Sequence, residues 1–162
     1  MISGKTQNLG VIGYPIAHSL SPLMQNAALR QASLDYRYIA MPVLPENLRQ
    51  AVLGLKGLSF RGFNVTIPHK TAIMPLLDEI QSDAEKIGAV NTVVNQKGRL
   101  IGYNTDVTGF LAAMKAECIS LQGKAIVILG AGGAARAVLW GMLKERAGKI
   151  MIGGRDVKKT AA

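Results

Sequence analysis

The sequence predicts an α/β fold: a mostly parallel N-terminal sheet flanked by helices, followed by an incomplete Rossmann-type βαβ unit. Two observations lead to this prediction. Short apolar runs at residues 8–13, 36–41 and 60–65 alternate with segments of helical spacing, and such alternation is typical of parallel sheets. A later apolar run at residues 124–129 enters a glycine-rich turn, and a further strand is predicted at residues 149–153, which is the order of a βαβ unit.

Helices are predicted between these strands. Ser21 and Pro22 suit the start of the first helix, with Ser21 as its N-cap and Pro22 at its first position. Apolar residues at helical spacing predict a second helix over residues 45–55. Residues 69–88 are expected to form short helices, and residues 106–117 a longer one.

A β-hairpin is predicted near the end of the first domain. Residues 89–95 and 99–103 have strand composition, and the Gln96-Lys97-Gly98 segment between them suits a tight turn. We therefore expect two domains. The first would span residues 1–105, and the second would span residues 106–162, with a linking helix and the start of the βαβ unit.

Composition excludes several classes of protein. Hydrophobic residues make up 49% of the 162 residues, so the chain can bury a core. A single cysteine excludes an internal disulfide, and with only two histidines no metal site is expected. No signal peptide is recognised, and no apolar run approaches the roughly 20 residues of a membrane span. The expected location is therefore the cytoplasm, without a membrane partner.

The net charge of +9 raises the question of nucleic-acid binding. The excess of Lys and Arg is spread along the chain, and aromatic residues make up only 5% of it. A stacking surface for single strands needs more aromatic residues than that. No nucleic-acid partner is expected, and the charge favours small anions such as carboxylates and phosphates.

The glycine-rich turn is the strongest local motif. Residues 130–135 fit the pattern G-x-G-x-x-A between a strand and a helix. Gly130 permits a tight turn, Gly132 lets the backbone approach a pyrophosphate, and Ala135 allows close helix packing. The helix N-terminus offers N–H groups to phosphates. The expected cofactor-binding residues here are Gly130, Ala131, Gly132, Gly133 and Ala134, although the same turn would also suit a βαβ unit that binds nothing.

The end of the next strand bears on cofactor choice. Arg155, with Lys158 and Lys159, could hold a ribose 2′-phosphate, which favours NADP. Asp156 could instead accept a hydrogen bond from a free 2′-hydroxyl, which favours NAD, or it could cap the next helix. The three cations favour NADP over NAD.

Four polar clusters stand in otherwise apolar surroundings, at residues 18–22, 64–70, 88–92 and 103–106. Most adjoin predicted strand ends, where ligands bind in open α/β sheets. Together they supply hydroxyls, amides, a lysine and a carboxylate. Such a set suits a small polyhydroxylated acid.

These clusters and the glycine turn resemble the shikimate dehydrogenase family in its order and spacing. The matching stretches are residues 19–22, 64–70, 89–92, 104–106 and 130–135, so the resemblance covers essentially the whole chain. It implies an enzyme, an NADP-linked oxidoreductase that interconverts 3-dehydroshikimate and shikimate in aromatic amino-acid biosynthesis.

The resemblance also implies that residues 1–105 form a substrate-binding domain, and residues 106–162 a linking helix and a partial dinucleotide-binding domain.

Roles for single residues are implied as well. Ser19 and Ser21 would bind the substrate carboxylate, and Thr66, Asn91 and Asp106 the ring hydroxyls and carboxylate. Lys70 would be catalytic, with Asp106 orienting it, because a lysine partly shielded from water can exchange protons near neutral pH. From the residues alone, Ser21 and Asp106 equally suit helix caps, and Asn91 a loop-capping amide. His18 and His69 are expected to be structural.

Two hypotheses remain after the motifs are read. The chain ends at Ala162, before a dinucleotide fold is complete, and Gly153-Gly154 replaces an asparagine usual in the family. The first hypothesis is a fragment of a shikimate dehydrogenase that is inactive alone. The second is a non-catalytic shikimate- or quinate-binding remnant, whose exposed sheet edge could also drive formation of a homodimer.

Overall fold

A computed structural model describes residues 2–154 of the chain. They form two compact units: a first unit of residues 2–81 and 90–103, and a second unit of residues 82–89 and 104–154. The division after Tyr103 lies two residues before the predicted boundary. Residues 82–89 group with the second unit, which the domain prediction did not anticipate. Within the described residues no helix is long and apolar enough to cross a membrane.

The first unit is built on a six-stranded sheet. Its strands are β1 (Gln7–Gly13), β2 (Tyr36–Pro42), β3 (Gly62–Val65), β4 (Glu79–Ile80), β5 (Thr92–Gln96) and β6 (Arg99–Tyr103). The spatial order is β2-β1-β3-β5-β6-β4. The β1–β2, β1–β3 and β4–β6 pairs are parallel, while β5 runs antiparallel to both of its neighbours. The predicted mostly parallel α/β sheet is confirmed, and β4 is a strand within a segment predicted to be helical.

Three helices belong to this unit: α1 (Ser21–Gln31), α2 (Leu48–Gly57) and α3 (His69–Ala72). The side of α2 that carries Leu48, Val52 and Leu55 is buried, as its periodicity predicts. Helix α1 buries no residue fully; its Leu29 packs against the core cluster around Val11, and Asn26 adds polar contacts. The Asn26 side-chain amide donates to the Pro22 and Tyr38 carbonyl oxygens at 2.7 Å each, and its oxygen accepts the Tyr38 N–H at 3.0 Å.

The hairpin between β5 and β6 has the predicted turn. Lys97 and Gly98 both have positive φ, 53° and 90°, as a two-residue type I′ turn requires. The Asn95 side-chain oxygen accepts the Gly98 N–H at 2.7 Å. The local sequence therefore determines this turn, and the turn sets the register of β5 against β6.

The second unit contains α4 (Ser82–Ile87), α5 (Asp106–Ala116), β7 (Ala125–Leu129), α6 (Gly133–Lys144) and β8 (Lys149–Gly153). Strands β7 and β8 are parallel, so strand, helix and strand form the predicted βαβ unit. Its core contains Leu121, Ile128 and Met142. Gly141 allows α6 to approach α5 closely, because a Cβ there would lie 3.3 Å from Phe110.

Helix α4 is joined to α6 through polar contacts. The Trp140 indole N–H donates to Asp83 Oδ1 at 3.2 Å, and Lys144 Nζ lies 2.6 Å from Asp83 Oδ2. Lys86 Nζ is 5.3 Å from the Trp140 ring centroid, within the range of a cation–π contact. These contacts explain why α4 groups with the second unit although its sequence neighbours lie in the first.

Candidate functional site

The carboxyl ends of β1 and β3 form the first part of the site. The segment that follows β3 is hydrogen-bonded to the end of β1 and to the residue after it: Thr66 N–H donates to Ile12 O, and Tyr14 N–H donates to Ile67 O, at 3.0 Å each. A Cβ on Gly13 would lie 2.5 Å from Thr66 Cγ2. Thr66 is therefore packed directly against the end of β1, at the edge where parallel sheets bind ligands.

Ser19 and Ser21 lie at the start of α1. Both are half-buried, and the Ser19 hydroxyl accepts the Ser21 N–H at 3.3 Å. The prediction that Ser21 caps the helix is wrong: it is the first helical residue, Leu20 is the N-cap, and no side chain caps the helix from that position. The Ser21 hydroxyl therefore does not cap the helix. The Ser19 hydroxyl is the one that accepts a helix N–H, that of Ser21.

Lys70 and His69 lie on the short helix α3. His69 is 1% exposed, and its Nε2 lies 2.7 Å from the Val43 carbonyl oxygen. Because a carbonyl only accepts, this ring nitrogen carries a proton, and the contact is the structural role expected for His69. The Lys70 residue is half-buried, and its carbonyl oxygen accepts the Val90 N–H at 2.8 Å. That bond joins α3 to the residue immediately before Asn91.

Asn91 is held on both sides of its backbone. Its N–H donates to Tyr103 O at 3.0 Å, and its carbonyl oxygen accepts the Val65 N–H at 2.8 Å. Its side chain is buried, and Oδ1 accepts the Thr92 hydroxyl at 2.9 Å. The first unit therefore brings Thr66, Lys70 and Asn91 to one edge through short backbone links.

Asp106 belongs to the second unit. It is the first residue of α5 and is half-buried, while Thr105 occupies the N-cap position without a side-chain cap. The backbone N–H of Asp106 donates to Asn104 Oδ1 at 3.0 Å, so the oxygen that caps this N–H comes from Asn104. A carboxylate in the first turn of a helix is electrostatically favoured.

The glycine turn has the geometry of a nucleotide-binding loop. Gly130 has a φ of 119°, a conformation open to glycine, and its N–H donates to Gly153 O at 2.7 Å. Gly132 is the N-cap of α6 and has extended backbone angles. A Cβ on Gly132 would meet nothing within 4 Å, so the backbone there is open to a phosphate. The fit to a dinucleotide pyrophosphate is good, because the N–H groups of the first turn of α6 lie at this opening.

A hollow of about 360 Å³ adjoins this turn within the second unit. Gly130, Ala131, Arg136 and Trp140 are among the residues that line it. Arg136 was not predicted as a site residue, although its place in the first turn of the helix after the glycine motif could have indicated it. Arg155, the predicted 2′-phosphate ligand, lies outside the described residues. Among residues 2–154 no group of three or more His, Cys, Asp or Glu is arranged to hold a metal ion.

The fold and the site define a class of protein. It is an α/β protein with hydroxyl, amide and ammonium groups at the strand ends of one sheet, followed by a Rossmann-type βαβ unit with an open glycine turn. The model of the shikimate dehydrogenase substrate binding domain family matches residues 11–93. Because that match spans half of the chain, the chain belongs to this family.

Two shikimate dehydrogenases are similar over nearly the whole chain. The NADP(+) shikimate dehydrogenase of Carboxydothermus hydrogenoformans is 48% identical over 158 residues, which are 98% of this chain and 56% of that protein. The crystal structure of the Aquifex aeolicus enzyme superposes with a TM-score of 0.95 at 46% identity, covering 99% of this chain and 60% of that one. The chain thus spans a little over half the length of these relatives.

A further solved structure belongs to a protein of different activity. The 5-ketofructose reductase of Gluconobacter sp. strain CHM43 is 42% identical, with a TM-score of 0.86, over 97% of this chain and 56% of that one. The fold is therefore compatible with more than one substrate, and the choice among them depends on the site residues.

Proposed function

We propose that the protein is a shikimate dehydrogenase, which reversibly reduces 3-dehydroshikimate to shikimate with NADPH. The observation that carries this proposal is the edge of the first unit, where backbone hydrogen bonds link the segments that carry Thr66, Lys70 and Asn91. Hydroxyl, ammonium and amide groups at one edge suit a hydroxylated carbocyclic acid. The similarity to curated shikimate dehydrogenases supports the same substrate.

The start of α1 favours a substrate with a carboxylate. Ser19 and Ser21 place two hydroxyls at the N-terminus of an 11-residue helix. Helix N-termini attract anions, because their N–H groups and dipole carry partial positive charge. Shikimate has a carboxylate that this helix start could bind, whereas 5-ketofructose is a neutral sugar. This comparison favours shikimate, or the related hydroxy acid quinate, over the ketosugar.

Lys70 is proposed to handle the proton of the reaction. A nicotinamide cofactor, when bound at the glycine turn, would supply the hydride that the reduction of 3-dehydroshikimate requires. The ammonium group of Lys70 donates a proton to the carbonyl oxygen, which becomes the hydroxyl of shikimate, and takes it back in the reverse direction. Thr66 and Asn91 are proposed to hold the neighbouring hydroxyls, and the catalytic role expected of Asp106 stays a prediction.

Cofactor binding is proposed for the second unit. The open backbone at Gly132 and the first turn of α6 would receive the pyrophosphate, with Ala131, Gly133 and Ala134 completing the turn. The Arg136 guanidinium lines the adjoining hollow and would add a positive charge beside the phosphates. The preference for NADP over NAD is proposed to depend on Arg155.

The experiment combines two measurements. Calorimetric titration with shikimate tests binding, and the formation of NADPH from NADP and shikimate tests turnover. We expect the 162-residue chain to bind shikimate, since the edge residues of the first unit are present, and not to turn it over, since it spans 56% of the curated relative. The same assay on a protein of the relatives' length is expected to show turnover.

Lysine variants provide the matched comparison. In a protein of the relatives' length, Lys70→Ala is expected to abolish turnover and retain shikimate binding, because the lysine acts mainly on the transferred proton. Lys5→Ala removes an exposed lysine elsewhere in the first unit and is expected to change neither. A folded chain that binds no shikimate would refute the proposed function. Binding without turnover even at the relatives' length would favour the alternative, a non-catalytic shikimate-binding protein.

A further inference from the structure

A hollow of about 820 Å³ opens in the first unit at the amino ends of β1 and β3. Its lining includes three cationic residues, Lys56, Arg61 and Lys97, together with the amide residue Asn95, and we call it the basic hollow. The candidate substrate residue Thr66 follows the carboxyl end of β3. The basic hollow therefore lies at the opposite end of the same strands, and the proposed reaction uses none of these four residues.

Hydrogen bonds and an ion pair join the walls of the basic hollow. The Arg61 N–H donates to Asn8 O at 3.0 Å, and Arg61 O accepts the Asn95 N–H at 2.9 Å, so the backbone of Arg61 is held between β1 and β5. Lys56 Nζ lies 3.0 Å from Asp78 Oδ2, which ties the end of α2 to the segment before β4. The shape of the basic hollow is therefore set by the sheet and its connections.

Asn95 supplies the basic hollow with a buried hydrogen-bond donor. Asn95 is 7% exposed, and its Oδ1 accepts the Gly98 N–H at 2.7 Å. Because a backbone N–H only donates, this bond fixes which end of the amide is oxygen. Asn95 Nδ2 makes no hydrogen bond to any of residues 2–154, and no buried side-chain nitrogen among them is enclosed without a partner. Nδ2 therefore reaches solvent, and the hollow is where Asn95 borders it.

The charges around this amide are mostly uncompensated. No carboxylate within the described part of the chain forms an ion pair with Arg61 or Lys97, and both residues are exposed. Only Lys56 has such a partner, Asp78. The basic hollow thus combines N–H donors with net positive charge. This set matches a ligand that only accepts hydrogen bonds and carries more than one negative charge, and arginine in particular binds phosphate through two parallel bonds.

We propose that the basic hollow binds a small molecule carrying a phosphate or pyrophosphate group, which is held by Asn95 Nδ2, Arg61 and Lys97. A phosphate group carries about two negative charges near neutral pH. Leu58 and Phe60 add apolar surface to the lining, which suits the organic part of such a ligand. The volume is within the range of small-molecule sites. This site is separate from the one proposed for shikimate, and neither assignment depends on the other.

Inorganic pyrophosphate is the probe, because it carries the charge without an organic part. In NMR titrations of the ¹⁵N-labelled 162-residue chain at constant ionic strength, we expect saturable shifts of the Arg61, Lys97 and Gly98 backbone amides. Acetate at the same ionic strength is expected to leave them in place. The Gly132 and Gly133 amides report binding at the glycine turn separately. Shifts confined to that turn, or equal shifts with acetate, would overturn the proposal.

Asn95→Asp tests the amide donor with little change of shape. The carboxylate keeps an oxygen for the Gly98 N–H and replaces the N–H₂ group by negative charge. Pyrophosphate affinity, followed at the Gly98 amide, is expected to fall by about tenfold or more. Asn47→Asp adds the same charge at an exposed residue of the same unit and is expected to stay within about twofold of the wild type. Equal affinities of the two folded variants would refute the role of Asn95.

Two substitutions at exposed residues test the charge of the basic hollow and carry the test if Asn95→Asp does not fold. Arg61→Gln and Lys97→Asn each remove one cation, and asparagine suits the positive φ of residue 97. Each is expected to weaken pyrophosphate binding by about tenfold and to leave shikimate binding unchanged. Circular dichroism and the thermal midpoint establish folding. Wild-type pyrophosphate affinity in both variants would show that the anion is not held in this hollow.

Discussion

Gly13 and Thr66 are in direct contact at the edge of the first sheet, with no space between them for a further carbon atom. A Cβ on Gly13 would lie 2.5 Å from Thr66 Cγ2 and 3.0 Å from the Ile67 carbonyl oxygen. The conformation of the loop that carries Thr66 and leads to Lys70 therefore depends on the absence of a side chain at residue 13.

Gly13→Ala is expected to displace Thr66 and weaken shikimate binding. Overpacking of this kind costs about 1–3 kcal/mol, so the thermal midpoint should also fall. Gly54→Ala is the matched control, since a Cβ there meets nothing within 4 Å and alanine is favoured over glycine inside a helix such as α2. Thermal melts and shikimate titrations of both variants check the prediction, which fails if Gly13→Ala behaves like the control.

The two serines at the start of α1 are expected to recognise charge. Ser19→Ala and Ser21→Ala should each weaken shikimate binding by about tenfold, the effect of one lost hydrogen bond to a charged group. Neither should affect the methyl ester of shikimate as strongly, because it lacks the negative charge. Parallel titrations with the acid and the ester measure the difference. Equal losses for both ligands would place the carboxylate elsewhere.

A methyl group at residue 132 is expected to leave the fold unchanged but to obstruct binding of the cofactor pyrophosphate. Gly132→Ala creates no contact within 4 Å, and its extended backbone angles suit alanine. The thermal midpoint should stay unchanged, while NADPH affinity falls by about tenfold or more, because the second glycine of this motif admits the pyrophosphate. Shikimate binding serves as the control. Unchanged NADPH affinity would mean that the phosphates lie elsewhere.

The α4–α6 contact is expected to weaken in acid. The hydrogen bond from Lys144, followed by that from Trp140, lowers the pKa of Asp83 from its usual 3.8. A carboxyl whose folded pKa is lowered stabilises the fold above its unfolded pKa, and that contribution is lost as pH falls through the folded value. Trp140 is the chain's only tryptophan, so its fluorescence should change below about pH 4.

Two substitutions check the origin of this change. Asp83→Asn is expected to remove the acid-dependent step in Trp140 fluorescence, because no carboxylate remains to be protonated. Asp78→Asn, in the first unit, should retain it, although the pKa of Asp78 is also lowered, mainly by the Leu100 N–H. Persistence of the step in Asp83→Asn would assign it to another group.

The strands and the glycine turn could be predicted because their signals are local. Apolar runs, the Lys97-Gly98 turn and the spacing of Leu48, Val52 and Leu55 each act within a few residues. The two-residue strand β4 was missed because so short a strand has no periodicity of its own. Ser21 was wrongly predicted to cap α1, because a Ser-Pro pair is compatible with either of two helix starts one residue apart.

The remaining features depend on contacts distant in sequence. The grouping of α4 with the second unit follows from Asp83 and Trp140, which are 57 residues apart. The Tyr38 hydroxyl donates to Asn64 Oδ1, and these two residues are separated by 26 positions. No local pattern identifies such pairs, whereas the candidate site residues stand in short motifs, and their roles stay predictions.

The measurement that tests the account most directly is the mapping of shikimate on a ¹⁵N-labelled chain by NMR. We expect the largest changes in chemical shift on addition of shikimate at the backbone amides of four residues of the candidate site: Ser19, Ser21, Thr66 and Asn91. Shifts confined to the basic hollow lined by Lys5, Lys56, Arg61 and Lys97, or no shifts in a folded chain, would contradict the assignment of this edge as the substrate site.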